Sequence, residues 1–192
     1  MEEELVIEIK KVSIKNDKYL NVEYIETRNE TRSTIKKESS QLIHKDLEEA
    51  FERLDVHLAM LCEMVDDNLV HSIEDVLTHE SLLSKLKVTG ITIGGAGEHE
   101  GVCIVGQRKL RGKKVLNLVT PFTKFEDEHN PYKFMSDLSS VIYDCIFESE
   151  QYVQGKCTPS NQLEIFDKED GDNNYDDGLP KGSWEGGFAD NH

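Results

Sequence analysis

Apolar and polar positions alternate from the start of the chain. Leu5, Ile7 and Ile9 occupy every second position, and the period then slips by one to resume at Val12 and Ile14. This pattern predicts a strand with a β-bulge near Lys10-Lys11. Asn16-Asp17 marks a turn, and Leu20, Val22 and Tyr24 alternate in a second strand. A third, polar strand is expected around Thr31–Lys37, where Ile35 is the large apolar residue.

The period then changes. Leu47, Phe51, Leu54, Leu58, Leu61 and Val65 are spaced 4, 3, 4, 3 and 4 residues apart. That is one apolar stripe, predicting a single amphipathic helix of about five turns. Asp46, Glu48, Glu49, Glu52, Asp55 and Glu63 lie mostly off the stripe, and a short helix is expected around Ser72–Leu77. The second half repeats the order. Val88–Ile93 predicts a strand with Thr89, Ile91 and Ile93 on one face, followed by a Gly94-Gly95-Ala96-Gly97 loop. Two more strands, Val102–Lys109 and Lys114–Val119, flank a basic tip at Arg111-Gly112-Lys113, and Pro121 is expected to end the sheet. A helix from about Tyr132 to Val153 would bury Leu138, Val141, Ile142, Cys145 and Tyr152. The fold expected is therefore α+β: two antiparallel β-meander units, each followed by a long amphipathic helix. Residues 1–154 would form the globular domain, with halves 1–80 and 81–154. Residues 155–192, rich in Asp, Asn and Gly, would be an acidic disordered C-terminal tail.

Composition refines this picture. The chain has 192 residues and a formal net charge of −16, with 37% hydrophobic and 31% charged residues. No run approaches the roughly 20 apolar residues of a membrane helix. Met1-Glu2-Glu3-Glu4 has the wrong charge for a signal peptide, so a cytoplasmic location and no membrane partner are expected. Cys62, Cys103, Cys145 and Cys157 lack metal-ligand spacing and read as reduced structural thiols. The overall charge argues against nucleic acid until it is resolved along the chain. Residues 1–40 carry −1, 41–100 carry −9, 101–160 carry +1 and 161–192 carry −7. The strand-bearing blocks are near neutral and locally basic.

Those strands hold the first candidate chemistry. Lys10, Lys11 and Lys15 flank the first hairpin, and Arg108, Lys109, Arg111, Lys113 and Lys114 flank the second, with Tyr24 and Phe122 nearby. Cations that track phosphates and rings that stack on bases are the ingredients of a single-strand groove. The competing reading is a solvated strand face, since lysine also protects sheet edges. The tail holds the second candidate. Gln162-Leu163-Glu164-Ile165-Phe166 resembles the bacterial sliding-clamp-binding peptide, in which Gln162 would bond at a pocket rim while Leu163, Ile165 and Phe166 fill an apolar cleft. Gly94 to Gly101 is not a Walker loop, and Glu98, His99 and Glu100 are adjacent, so a strand would not turn all three toward one metal. Motifs for serine hydrolases and zincins are absent, and neither a cofactor nor a metal is expected. His57, beside the apolar stripe, reads as a rim or core residue.

Two stretches carry a family resemblance: Val88-Thr89-Gly90-Ile91 through Gln107-Arg108-Lys109-Leu110, with its Gly-Glu-His-Glu-Gly core, and Lys114 through Thr123, followed by the helix ending Glu150-Gln151-Tyr152. With Asp55-Val56-His57-Leu58-Ala59 they resemble a family of small proteins of tailed phages and prophages, over most of residues 45–155. The resemblance implies association with replication and recombination genes. The element order is also similar to the Whirly-type single-strand-binding fold. The expected function is a phage-type single-stranded DNA-binding accessory protein whose tail recruits a sliding clamp or another replication partner, and homo-oligomerisation is compatible with it. The alternatives are an acidic protein-binding module that inhibits or redirects a host protein by mimicking DNA, and a metal-dependent nuclease using Glu98 or Glu100.

Overall fold

The computed structural model describes residues 5–29, 31–129 and 131–158. The sequence expectations for residues 159–192, including Gln162, Leu163, Ile165 and Phe166, lie outside the described residues. The chain forms β1 (Leu5–Lys15), β2 (Tyr19–Arg28), β3 (Thr31–Leu42), α1 (Lys45–Glu52), α2 (Asp55–Leu61), α3 (Ile73–Leu77), α4 (Glu80–Leu83), β4 (Leu86–Gly94), β5 (Gly101–Lys109), β6 (Val115–Val119), β7 (Thr123–Lys124) and α5 (Met135–Val153).

The fold is α+β, as the alternating patterns imply. The two meanders do not stay separate, because β1 pairs antiparallel with β4 and makes one sheet of order β3-β2-β1-β4-β5-β6. The bulge in β1 falls where the period slips: Ile9 pairs with Tyr24 and Lys11 with Glu23, leaving Lys10 as the extra residue. A second bulge corrects the reading of β4. Val88 pairs with Gly106 and Gly90 with Val105, so Thr89 is the extra residue and Val88 joins Ile91 and Ile93 on the buried face. Pro121 ends β6 but not the sheet, because Thr123 and Lys124 pair with Val102 and Gly101.

The helix expected after the first meander is broken. Leu54 N–H bonds to the Phe51 carbonyl at 3.0 Å, a tight i→i−3 contact that separates α1 from α2. The stripe survives this break, since Leu47, Phe51, Leu54 and Leu58 are all buried. α2 stops early because Glu63 takes a left-handed φ of 53°. Met64 N–H then bonds to the Ala59 carbonyl and Glu63 N–H to that of Met60, both at 2.9 Å, which is the Schellman closure. α3 begins at a capping box of Ser72 and Asp75. α5 runs 19 residues and buries the residues expected of it, together with Ser149, whose hydroxyl donates to the Cys145 carbonyl at 2.6 Å.

The helices cover one face of the sheet. Ile9, Val12, Leu20, Val22, Ile91 and Ile104 of the strands are buried in one core with Leu47, Leu54, Leu58, Leu138 and Ile142. Each such side chain contributes about 1.5–3 kcal/mol when removed from water. Gly106 lies beneath α2, where an added Cβ would sit 2.4 Å from Leu58 Cδ2. Contacts with this body continue past residue 154: Thr158 N–H and Oγ1 donate to the Leu42 and Ile43 carbonyls, at 3.1 and 2.7 Å.

Candidate nucleic-acid interface

The strand register decides which side chains share the face away from the helices. Lys11 pairs with Thr92, which pairs with Cys103. In the next row Ser13 pairs with Gly90, Gly90 with Val105, and Val105 with Val119. Gln107 pairs with Asn117, and Gln107 Nε2 donates to Asn117 Oδ1 at 3.3 Å. These positions alternate with the buried residues Val12, Ile91 and Ile104, so they stand on the opposite face. Lys11, Gln107, Asn117 and Val119 are exposed.

This face holds a shallow trough of about 590 Å³, floored by Ser13, Thr89, Gly90, Thr92, Val105 and Gln107 and edged by Lys11. Small side chains hollow it, and one glycine is required: a Cβ at Gly90 would come 2.7 Å from the Val12 carbonyl oxygen. Beyond Lys11 a smaller hollow of about 170 Å³ continues toward β3, between Asn21, Glu23, Lys36 and Glu38.

The structure divides the cations proposed from sequence. Lys10 is ion-paired to Glu8, which also accepts from Arg32 at 2.9 Å. The Lys10 ammonium is the main reason the Glu8 carboxyl is held below its ordinary range, with Arg32 adding to it. Among the described residues, no carboxylate lies within ion-pair distance of Lys11, Lys15, Lys109, Arg111, Lys113 or Lys114. Lys109 shares the open face with Gln107. Arg111 and Lys113 form the turn between β5 and β6, where Gly112 and Lys113 both take left-handed φ, 73° and 61°.

Two expected residues are elsewhere. Tyr24 has the parity of Leu20 and Val22, lies in the helix-covered core and is 7% exposed, so it is not available to stack on a base. Arg108 has the parity of Ile104 and is half-buried on the helix side, where its Nε lacks a hydrogen-bond partner among the described residues. Phe122 is placed as a surface ring. It is 45% exposed and packs over Gly94 and Gly101, where added Cβ atoms would meet it at 3.4 and 2.9 Å.

The helix layer has the opposite charge. Between α1, α3 and α5 lies a groove of about 750 Å³, floored by the buried Ala50, Val56 and Val141, with Leu77 and Phe147 exposed beside it and Asp46, Glu49, Glu52, Asp137, Asp144 and Glu148 around it. Arg53 is its one base, and Arg53 is paired to Asp144 at 2.8 Å. The sequence alone marks the acids of the first helix and of the tail as a surface, and does not reveal this apolar groove.

Beside this groove is a polar cluster that sequence reading does not assemble. His57 is fully buried, with Nδ1 3.1 Å from the Tyr132 hydroxyl and Nε2 3.0 Å from Asp137 Oδ2. Burial drives the imidazole below its ordinary pKa, against the pull of Asp137. Both ring nitrogens are hydrogen-bonded, so the cluster ties α2 to the start of α5. Asp55, in the first turn of the same helix, accepts the Val88 N–H at 2.7 Å, and burial raises its carboxyl to about 6.

Glu98 and His99 lie in a 3-10 turn that Glu100 follows, and all three are exposed. Among the described residues no three His, Cys, Asp or Glu side chains come together as a metal site. The four cysteines are free, and among the described residues no helix is long and apolar enough to cross a membrane. Comparison with protein families, curated proteins and solved structures finds no match to this chain.

Proposed function

We propose that the chain binds single-stranded nucleic acid along the open face of its sheet, as an accessory protein of DNA replication or recombination. The observation that carries this reading is the trough beside Lys11, with cations along the same face that have no ion-pair partner among the described residues and a half-exposed ring at Phe122. Lys11, Lys15 and Lys109 neutralise phosphates across the face, Arg111, Lys113 and Lys114 extend the track at the hairpin, and Phe122 stacks on a base. Ser13, Thr92, Gln107 and Asn117 supply hydrogen bonds to sugar or base edges. The acidic helix layer lies on the opposite face, so net charge does not oppose binding locally. The tail segment Gln162, Leu163, Ile165 and Phe166 recruits a sliding clamp, on the strength of its sequence pattern and of the phage-protein resemblance.

Fluorescence anisotropy with a labelled oligonucleotide at low and high salt tests the DNA reading. Replacing Lys11, Lys109 and Lys113 with Glu should weaken binding and flatten the salt dependence, whereas Phe122→Ala should weaken it with the salt slope unchanged. Absence of binding at low salt defeats the proposal. A second reading is favoured by the acid-rimmed apolar groove on the helices: a protein-binding module that takes a basic amphipathic segment. Under that reading, reversing Glu49 and Glu52 abolishes partner capture and leaves the sheet face irrelevant.

A further inference from the structure

The two edges of the sheet are built differently. β3 carries Arg32, Lys36, Lys37 and Glu38, the charges that usually keep an edge from pairing with another chain. β6 at the other edge is Val-Leu-Asn-Leu-Val and has no charge in its five residues. Val115 is 51% exposed, Leu116 45% and Val119 64%. The sequence of β6 is also a palindrome about Asn117.

We propose that two copies of this chain pair antiparallel through β6, about a two-fold axis at Asn117, and so continue the sheet from one protomer into the other. In that register Asn117 faces Asn117 of the second copy, Val115 faces Val119, and Leu116 faces Leu118, so every apolar side chain meets an apolar one. A two-fold interface must be self-complementary, and a palindromic strand satisfies this with one element. The backbone has the right phase. Thr120 N–H is turned inward to the Ile104 carbonyl, and the Lys114 carbonyl inward to Leu110 N–H, both at 2.9 Å. Alternation therefore turns the N–H and C=O groups of Val115, Asn117 and Val119 outward, where the paired register would join them in about six hydrogen bonds. Charge does not oppose it. Lys114 would lie opposite Thr120 of the second copy, and the two Lys114 residues would be about 20 Å apart at ~3.4 Å per residue, beyond the ~8 Å screening length.

Sedimentation velocity on the full chain over a dilution series, with circular dichroism as the folding control, reads the oligomeric state. The wild type should dissociate from dimer to monomer on dilution. Val119→Lys, at an exposed position, should be monomeric with an unchanged spectrum. As a measurement that does not depend on that variant, Asn117→Cys should form a covalent dimer under mild oxidation, because the facing Cα atoms would be about 5.5 Å apart. Thr34→Cys on β3 and the wild-type cysteines should not. A wild type monomeric at every concentration overturns the proposal. So does a dimer that Val119→Lys fails to disrupt and Asn117→Cys fails to cross-link.

Discussion

The carboxylate of Asp55 should make the protein less stable as pH rises, the reverse of the usual behaviour of a paired acid. The folded protein buries this group against β4, and burial raises its pKa from 3.8 to about 6 although the Val88 N–H opposes the shift. Glu52 pushes it further up and Lys87 pulls it down. Between those two values the folded state binds more protons than the unfolded state, so stability falls as pH rises through them. With these pKa values, ionising Asp55 costs on the order of 2 kcal/mol of stability at pH 5 and on the order of 3 kcal/mol at pH 7.5. Asp55→Asn keeps an oxygen acceptor for Val88 and removes the titration. Urea unfolding of both proteins at the two pH values should therefore show the variant gaining on the order of 1 kcal/mol on the wild type from pH 5 to 7.5. Comparing the two proteins cancels every other titrating group. A stability difference that does not change with pH, or that moves against the variant, refutes the reasoning.

His57 has the opposite sign. Its folded pKa is lowered by burial, so its contribution is complete above about 6.5 and is lost as pH falls through the folded value, and His57→Gln should flatten the acid limb of a pH–stability curve. Glu63→Gly, at the left-handed closing residue of α2, should raise the midpoint of urea unfolding by relieving about 1 kcal/mol of backbone strain. Gly90→Ala should cost about 1–3 kcal/mol, because its Cβ meets the Val12 carbonyl oxygen across the β1–β4 junction at 2.7 Å. Tyr132→Phe should cost about 1 kcal/mol in the same assay, through loss of its hydrogen bond to His57.

Local periodicity carries local structure, and here it made the β1 bulge legible because the apolar residues themselves change parity at Lys10. The Thr89 bulge is hidden by its neighbours, since Val88, Ile91 and Ile93 are apolar on either parity. The break between α1 and α2 is invisible for a related reason: tightening one turn leaves Leu54 on the same stripe as Phe51 and Leu58. Tyr24 and Arg108 show a different failure. Their parity with Leu20 and with Ile104 already assigns both to the covered face, yet aromatic and basic character drew them into a surface site. The His57–Tyr132–Asp137 cluster joins residues 75 and 80 positions apart, which no spacing rule reaches. The trough is likewise a product of pairing, because Ser13, Gly90 and Val105 become neighbours only when β1 meets β4.

That meeting also sets the order in which the chain can fold during synthesis. The β1–β3 meander leaves the ribosome before β4, and its pairings are local. Its apolar side, with Ile9, Val12, Leu20 and Val22, gains its sheet neighbour only when β4 emerges, and its final helix only when Met135–Val153 follows. Closing β1 onto β4 joins Ser13 to Gly90 across a long stretch of chain, and loop-closure entropy makes such contacts late and slow. The nascent meander thus keeps an open β1 edge until β4 emerges, with only α1 and α2 at hand to cover its apolar side. A ribosome stalled before β4 would display it to proteases and chaperones.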